Sequence, residues 1–234
     1  MAGRTTHPAT GDTTELMGTV LRLLDEERLA YLYTELLKQG DWMATQDLIE
    51  TSGVPESTVY EALSDLRETP LVTTKQDGRK RLYRANPFQL GVLSQGEITT
   101  MTPTTLAAVG QQVVDEDVEM FVADQGIDKL LRVVEYVKPY IDGRMSERVA
   151  ARELDLPAVV GMTIMIALEE IVTEMQDVDP YFESIRDASD EGPQTPDDGP
   201  IEVQYDEMTR IVIEPADDSD DQPDQDSSET SSDR

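Results

Sequence analysis

Apolar residues recur every three or four positions in the first part of the chain, which is the periodicity of an amphipathic helix. The first such pattern runs from Thr14 to Lys38 and ends at Gly40, a residue that commonly closes helices. A short second helix is predicted over residues 45–51, ending at Ser52-Gly53. A third helix opens at Pro55 and places three apolar residues on one face: Val59, Leu63 and Leu66.

Two strand patterns follow the third helix. Residues 71–75 and 81–85 are rich in Val, Thr, Leu and Tyr, and Asp77-Gly78 between them is a strong signal for a tight hairpin turn. Three helices followed by a two-stranded hairpin make a winged helix-turn-helix. We therefore predict such a domain over residues 15–87.

The rest of the foldable sequence is predicted to be helical, so the fold class is mainly α. Residues 88–101 are interpreted as a connector, and residues 102–186 as a helical C-terminal domain. Its helices are expected near residues 103–114, 116–125, 127–141, 146–154 and 157–175. The last three resemble a second, tri-helical helix-turn-helix. Because the final helix is apolar on nearly every side, it should be buried against its own domain or a second subunit.

Both ends of the chain have a different composition. Residues 1–14 are rich in Thr and Gly without periodicity and are predicted to form a flexible arm. Residues 187–234 hold 17 acidic residues against Arg210 and Arg234, which predicts a disordered acidic tail. Within that tail, residues 201–214 could form a short hairpin or a docking segment for a protein partner.

The acidic tail accounts for only half of the charge excess. The whole chain has a formal net charge of −30, and residues 1–186 still contain 32 acidic against 17 basic residues. Arginine (14) outnumbers lysine (5), a composition that resembles proteins of halophilic archaea. The alternative is an ordinary acidic cytoplasmic protein with a charged tail. In a halophile, the surface acidity would serve solubility and would say little about partners.

Several classes of function have little support. The chain has no cysteine and one histidine, His7, so most metal and nucleophile chemistry is excluded, and we expect no catalytic residues, no metal and no cofactor. The longest apolar run, residues 157–168, is shorter than the ~20 residues of a membrane span. No signal peptide pattern precedes it. A cytoplasmic protein that is not an enzyme is the resulting expectation.

The basic residues are concentrated in the predicted hairpin. Five of the 19 Lys and Arg residues fall within residues 75–84: Lys75, Arg79, Lys80, Arg81 and Arg84. A cationic hairpin beside a helix-turn-helix is typical of domains that hold a nucleic-acid backbone, because Lys and Arg replace the counterions condensed on phosphates. This cluster predicts double-stranded DNA as a partner.

The segment from Ala44 to Val72 resembles the winged-helix regulators of the TrmB and MarR type that are common in archaea. The specific part is Ser57-Thr-Val-Tyr60 followed by Leu63, Leu66 and Leu71-Val72, and the resemblance covers about residues 25–87. It implies a recognition helix in the major groove. Residues on or near its exposed face are Ser57, Thr58, Tyr60, Glu61, Ser64 and Arg67. The resemblance also places Arg79, Lys80, Arg81 and Arg84 on phosphates or in the minor groove, with Lys75 beside them, and makes Thr45 and Gln46 candidates for backbone contacts.

The acidity of the recognition helix leaves an alternative open. Residues 55–68 carry Arg67 against four acidic side chains, a net charge of −3. A winged helix of this kind could instead bind protein, as an adaptor of the transcription or chromosome machinery. The favoured interpretation is a sequence-specific transcriptional regulator that acts at promoters as a homodimer, with the second helix-turn-helix unit in dimerisation.

Overall fold

The computed structural model describes residues 12–94 and 97–185. Within this part the chain is mainly helical, with a three-stranded sheet and a two-stranded sheet. The prediction of a mainly α fold with a winged helix-turn-helix is confirmed. The predicted acidic tail with its hairpin over residues 201–214, and most of the predicted arm, lie outside the described residues.

The first predicted helix is two helices. Helix α1 spans Asp12–Asp25 and α2 spans Glu27–Gln39, with Glu26 between them in a non-helical conformation (φ −121°, ψ 87°). The apolar pattern continues through the break, because both helices pack on the same core with Val20, Leu23, Leu29 and Leu32 fully buried. The periodicity of apolar residues therefore predicted one continuous helix, although Glu26 interrupts it. As predicted, α2 ends at Gly40, whose φ of +66° suits glycine.

The helix-turn-helix consists of α3 (Thr45–Ser52) and α4 (Glu56–Leu66). The turn between them contains Gly53 with a φ of +69°. Pro55 precedes the first residue of α4 instead of lying in its first turn, a difference of one position. The side chains predicted to face the core, Val59, Leu63 and Leu66, are all buried, so the pattern assigned this helix face correctly.

The wing is formed by β2 (Val72–Asp77) and β3 (Lys80–Ala85), which pair antiparallel with Val72 opposite Ala85 and Asp77 opposite Lys80. Both strands extend closer to the turn than predicted. A third strand, β1 (Met43–Ala44), pairs with the other edge of β3 and gives the order β1-β3-β2. With two residues, β1 is too short to produce a period-two pattern in the sequence.

The segment predicted as a connector is a β-hairpin. Strands β4 (Leu90–Ser94) and β5 (Glu97–Met101) pair antiparallel, with Leu90 opposite Met101. The segment forms strands where a connector was expected because Val92, Ile98, Thr99 and Thr100 are β-branched, and such residues favour strands. Phe88, Leu90 and Met101, at the base of the hairpin, are buried in the main core.

The remaining helices follow the predicted boundaries closely. They are α5 (Pro103–Gly110), α6 (Glu116–Gln125), α7 (Ile127–Ile141), α8 (Glu147–Glu153) and α9 (Ala158–Met175), with 3₁₀ turns at Gln111–Val113 and Phe182–Ser184. Thr102 caps α5 as expected, since its hydroxyl accepts a hydrogen bond from the Thr104 amide at 3.2 Å. The carboxylate of Asp179 accepts two more, from the amide (3.0 Å) and hydroxyl (2.7 Å) of Thr104. These hydrogen bonds hold the segment after α9 against the start of α5.

One hydrophobic cluster joins the winged helix to the C-terminal helices. Helix α5 crosses α2 so closely that a Cβ built on Gly110 would lie 2.6 Å from the Cα of Tyr31. Lys38 of α2 extends the contact to α9, where its ammonium lies 2.9 Å from Glu174. The wing is thus attached to a core that includes both parts of the chain.

Helix α9 is buried on one side and exposed on the other. Ile164, Met165, Leu168 and Val172 lie in the core, whereas Val159 is 76% and Ile166 is 56% exposed. Among the described residues no single helix is long and apolar enough to cross a membrane; α8 and α9 meet that criterion only as a pair bent by 115°.

Candidate nucleic-acid interface

The exposed face of α4 carries most of the residues predicted for base recognition. Ser57, Tyr60, Ser64 and Arg67 follow each other at intervals of three or four residues and form one stripe of exposed side chains. Tyr60 is 54% exposed, although it is large and partly apolar. Glu61 is also exposed, whereas Thr58 is only half-exposed because it lies at the edge of the buried face. The stripe is largely uncharged and offers hydroxyl groups and an aromatic ring.

The acidic residues of α4 lie mainly beside this stripe. Glu61, Asp65 and Glu68 follow one another at intervals of four and three, and form a second, adjacent row. Asp65 is bound by Arg22 of α1 at 2.6 Å. Hydrogen bonds to Glu26 and to Asp65 raise the pKa of Arg22 above its usual value. Part of the negative charge of the recognition helix is therefore balanced from within the fold.

The start of α3 is less open to phosphate than the sequence suggested. Thr45 is half-buried, and the exposed side-chain amide of Gln46 donates a hydrogen bond to Glu50 at 3.1 Å. The Asp47 carboxylate accepts a hydrogen bond from the Ala44 amide at 3.3 Å. A carboxylate here already occupies the positive end of the helix, where a phosphate would otherwise bind.

The wing presents its five cationic side chains to solvent. Lys75, Arg79, Lys80, Arg81 and Arg84 are all exposed, and none forms an ion pair with another residue in the described ranges 12–94 and 97–185. Elsewhere, Arg22, Lys38, Lys138 and Arg152 each lie 2.6–3.1 Å from a carboxylate. The wing charge is thus left uncompensated by the described part of a strongly acidic chain.

Asn86 fixes the wing relative to α4. Its side-chain amide donates to the Pro70 carbonyl and to the Thr73 hydroxyl, both at 2.9 Å, and its backbone amide donates to the Leu71 carbonyl at 2.8 Å. Its own carbonyl accepts a 2.9 Å hydrogen bond from the buried Tyr33 hydroxyl. The loop from α4 to β2 is therefore held against the end of β3, so the recognition helix and the wing keep a defined relative position.

Sequence reasoning missed Trp42, the single tryptophan of the chain. Its half-buried ring lies under the Lys75 ammonium, 4.2 Å from the ring centroid, and beside the Arg84 guanidinium at 4.8 Å. Both distances are within the range of cation–π attraction. Trp42 comes directly before β1, and the pairing of β1 with β3 brings it beside Arg84. Because a strand of two residues leaves no pattern in the sequence, only the tertiary structure reveals this contact.

Residues 27–89 match the family model described as sugar-specific transcriptional regulator TrmB. The matched region begins at α2 and includes the helix-turn-helix and the wing, so we refer to it as the TrmB-like domain. The family consists of transcriptional regulators and is not a family of enzymes.

The C-terminal helices match a different model. Residues 112–177 match a family of unknown function, DUF7437, and each of the two matches covers less than half of the chain. No curated protein and no solved structure matches the chain. The resemblance to TrmB regulators is supported for the TrmB-like domain, whereas MarR-like detail and a haloarchaeal origin stay predictions.

Among the described residues, no group of three or more His, Cys, Asp or Glu side chains could hold a metal ion. An open cleft of about 740 Å³ lies between the base of the wing and the segment that follows α9. Its charged lining residues are Arg84, Asp177, Asp179 and Glu183, an excess of negative charge that disfavours an anionic ligand.

Proposed function

We propose that this protein is a sequence-specific DNA-binding transcriptional regulator that acts at promoters as a homodimer. The observation that carries the proposal is the wing, where five exposed cations have no carboxylate partner among the described residues of a chain with a net charge of −30. The similarity of residues 27–89 to TrmB regulators supports transcriptional regulation as the process.

In this proposal the two parts of the interface have different roles. Arg79, Lys80 and Arg81 at the wing turn bind phosphates and supply affinity that does not depend on sequence. The Ser57, Tyr60 and Ser64 stripe of α4 lies along base edges in the major groove, where hydroxyl groups and an aromatic ring can meet donors, acceptors and thymine methyl groups. Specificity then comes chiefly from uncharged contacts.

A dimer is proposed because α9 leaves an apolar face exposed. Val159 and Ile166 are seven residues apart on one face of that helix, and both are more than half exposed. Burying such a face against a second copy removes apolar surface from water. Two recognition helices of a dimer would read half-sites about 34–36 Å apart, one turn of DNA.

The first experiment is genome-wide occupancy of a tagged copy, with a wing variant in which Arg79, Lys80 and Arg81 are changed to Ala. The matched control changes Arg28, Arg132 and Arg148 to Ala, which removes the same charge from exposed positions outside the wing. We expect discrete promoter peaks that disappear in the wing variant and persist in the control.

Binding to a recovered site is then measured as a function of salt concentration. Loss of three phosphate contacts in each protomer should reduce the slope of log K against log salt by about 2.7 per protomer, or about 5.4 for the dimer, while the control keeps the wild-type slope. No promoter peaks for a well-expressed, folded protein would contradict the proposal. The same result would favour the adaptor alternative, in which the acidic row of α4 binds protein.

A further inference from the structure

The outer face of the three-stranded sheet holds an aromatic and cationic cluster that we call the Trp42 face: Trp42, Lys75 and Arg84. Opposite residues of an antiparallel pair point to the same side of a sheet. Met43 pairs with Tyr83 and Ala44 with Leu82, so Trp42, one residue earlier, comes level with Arg84. Lys75 pairs with Leu82 from the other edge of β3. The two cations therefore flank one ring, at 4.2 and 4.8 Å from its centroid.

Contact with a ring orients a cation without neutralising it. A carboxylate partner would cancel the charge of Lys75 or Arg84, as Glu174 and Glu35 do for Lys38. The face of an indole ring is uncharged, so the full positive charge remains for an external anion. Neither Lys75 nor Arg84 pairs with a carboxylate of the described residues, and both are exposed.

Arg84 also lines the acidic cleft. The guanidinium lines the cleft that also contains Asp177, Asp179 and Glu183, yet it contacts the Trp42 ring and pairs with none of these three. Without the ring, the flexible arginine side chain is free to turn toward the exposed carboxylate of Asp177, since Glu183 pairs with Lys138 and Asp179 binds Thr104. Trp42 thus holds Arg84 on the wing side of the cleft.

We propose that the Trp42 face is a second binding surface for the DNA phosphate backbone, separate from the wing turn, and that Trp42 positions its two cations. The inference rests on the proposed DNA-binding function. Lys75 is about three strand residues from the turn, or about 10 Å, which corresponds to about three nucleotides of helical rise. The turn and the Trp42 face would therefore contact phosphates about three nucleotides apart.

The physical benefit is preorganisation. A free lysine or arginine side chain loses rotamer freedom when it binds a phosphate, and this loss weakens binding. In the Trp42 face that loss occurs on folding instead. Removing the ring should therefore weaken DNA binding although both cations remain in the chain.

A double-mutant cycle tests whether Trp42 acts through Lys75 and Arg84. The variants are Trp42→Leu, the pair Lys75→Gln with Arg84→Gln, and all three changes together, with Trp42→Phe as the conservative variant. We expect Trp42→Leu to weaken binding to the target site by about 5- to 150-fold, because the two freed side chains must then be ordered when DNA binds. It should lower the salt slope toward that of the Lys75/Arg84 pair variant, whose slope is smaller than that of wild type by about 1.8 per protomer, or about 3.6 for the dimer. In the pair background, Trp42→Leu should have no further effect, and Trp42→Phe should restore most of the binding.

A second readout uses Trp42 itself. Because it is the single tryptophan, its fluorescence reports on this face alone. We expect saturating DNA to change the emission of the wild-type protein and to leave that of the Lys75/Arg84 pair variant unchanged. The matched charge control, Arg28→Gln with Arg148→Gln, should behave as wild type, since both residues are exposed and distant in sequence from the wing.

Three results would overturn the inference. Additive losses in the cycle would mean that Trp42 has only a structural role. Unchanged emission with saturating DNA would mean that DNA does not reach the face. An emission change when the acidic residues of 187–234 are neutralised, without DNA, would assign the face to that segment of the chain. In each case binding that still depends on Arg79, Lys80 and Arg81 would leave the proposed function intact, whereas no DNA binding by the wild type would remove both.

Discussion

Replacement of Gly110 by Ala tests whether the winged helix and the C-terminal helices share one tightly packed core. Gly110 ends α5 where that helix crosses α2, and it has an ordinary helical conformation (φ −63°, ψ −25°). The added Cβ would lie 2.6 Å from both the Cα and the N of Tyr31, and 3.1 Å from the carbonyl carbon of Ala30. These are backbone atoms, so no rotamer change can relieve the contact.

The expected loss of stability follows from these distances. Carbon atoms normally approach to about 3.5–4.0 Å, so α2 and α5 must separate by about 1 Å, which forfeits a quarter to a half of the dispersion energy of their contacting atoms. Overpacking of this kind costs about 1–3 kcal/mol, against a gain of about 0.5–1 kcal/mol from the better helix propensity of Ala. We expect a net loss of about 1 kcal/mol, which lowers Tm by about 2–4 °C in a chain of this size.

The matched control is the same substitution at Gly18, an exposed glycine of α1 with no atom within 4 Å of the position of its added Cβ. There the propensity gain is unopposed, and stability should rise by about 0.5–1 kcal/mol. Thermal and urea unfolding followed by circular dichroism measure both variants. A Gly110→Ala protein as stable as the wild type would refute the close crossing of α2 and α5.

Three further predictions concern other parts of the fold. Asp179→Ala should lower stability by about 2–3 kcal/mol in urea unfolding, because the start of α5 loses its buried acceptor; exposed Asp177→Ala should stay within about 0.5 kcal/mol of wild type. Burial raises the pKa of Tyr33 well above its usual value, so wild-type stability should fall above pH about 10, where the unfolded tyrosine ionises and the folded one does not. Tyr33→Phe should lower the free energy of unfolding by about 1 kcal/mol at pH 7, and above pH 10 its stability should fall less than that of the wild type. A difference between the two proteins that stays constant across pH would contradict this. Val159→Glu with Ile166→Glu should give a folded monomer in light scattering if α9 forms the dimer interface, and an unchanged dimer would place that interface elsewhere.

The parts that the sequence predicted correctly depend on local patterns. The buried face of α4, a hairpin between β2 and β3 and the cap at Thr102 each follow from residues a few positions apart, although the two turn residues are Gly78-Arg79, one position later than predicted. The cationic wing was visible for the same reason, since its five basic residues lie within one hairpin. The predicted contact residues of α4 are mostly exposed, because helical periodicity assigns the outer face together with the inner one.

The parts that the sequence did not predict depend on contacts between distant positions. The two-residue strand β1 leaves little periodic signal and forms only by pairing with β3. Trp42 acquires its place beside Lys75 and Arg84 only through the pairing of β1 with β3. Likewise, nothing in the sequence around Gly110 indicates that α2 packs against it. Local sequence thus determined the elements and the charge of the candidate interface. Tertiary packing decided which charges have partners and which face of α9 remains exposed, because burial and pairing depend on elements far apart in the chain.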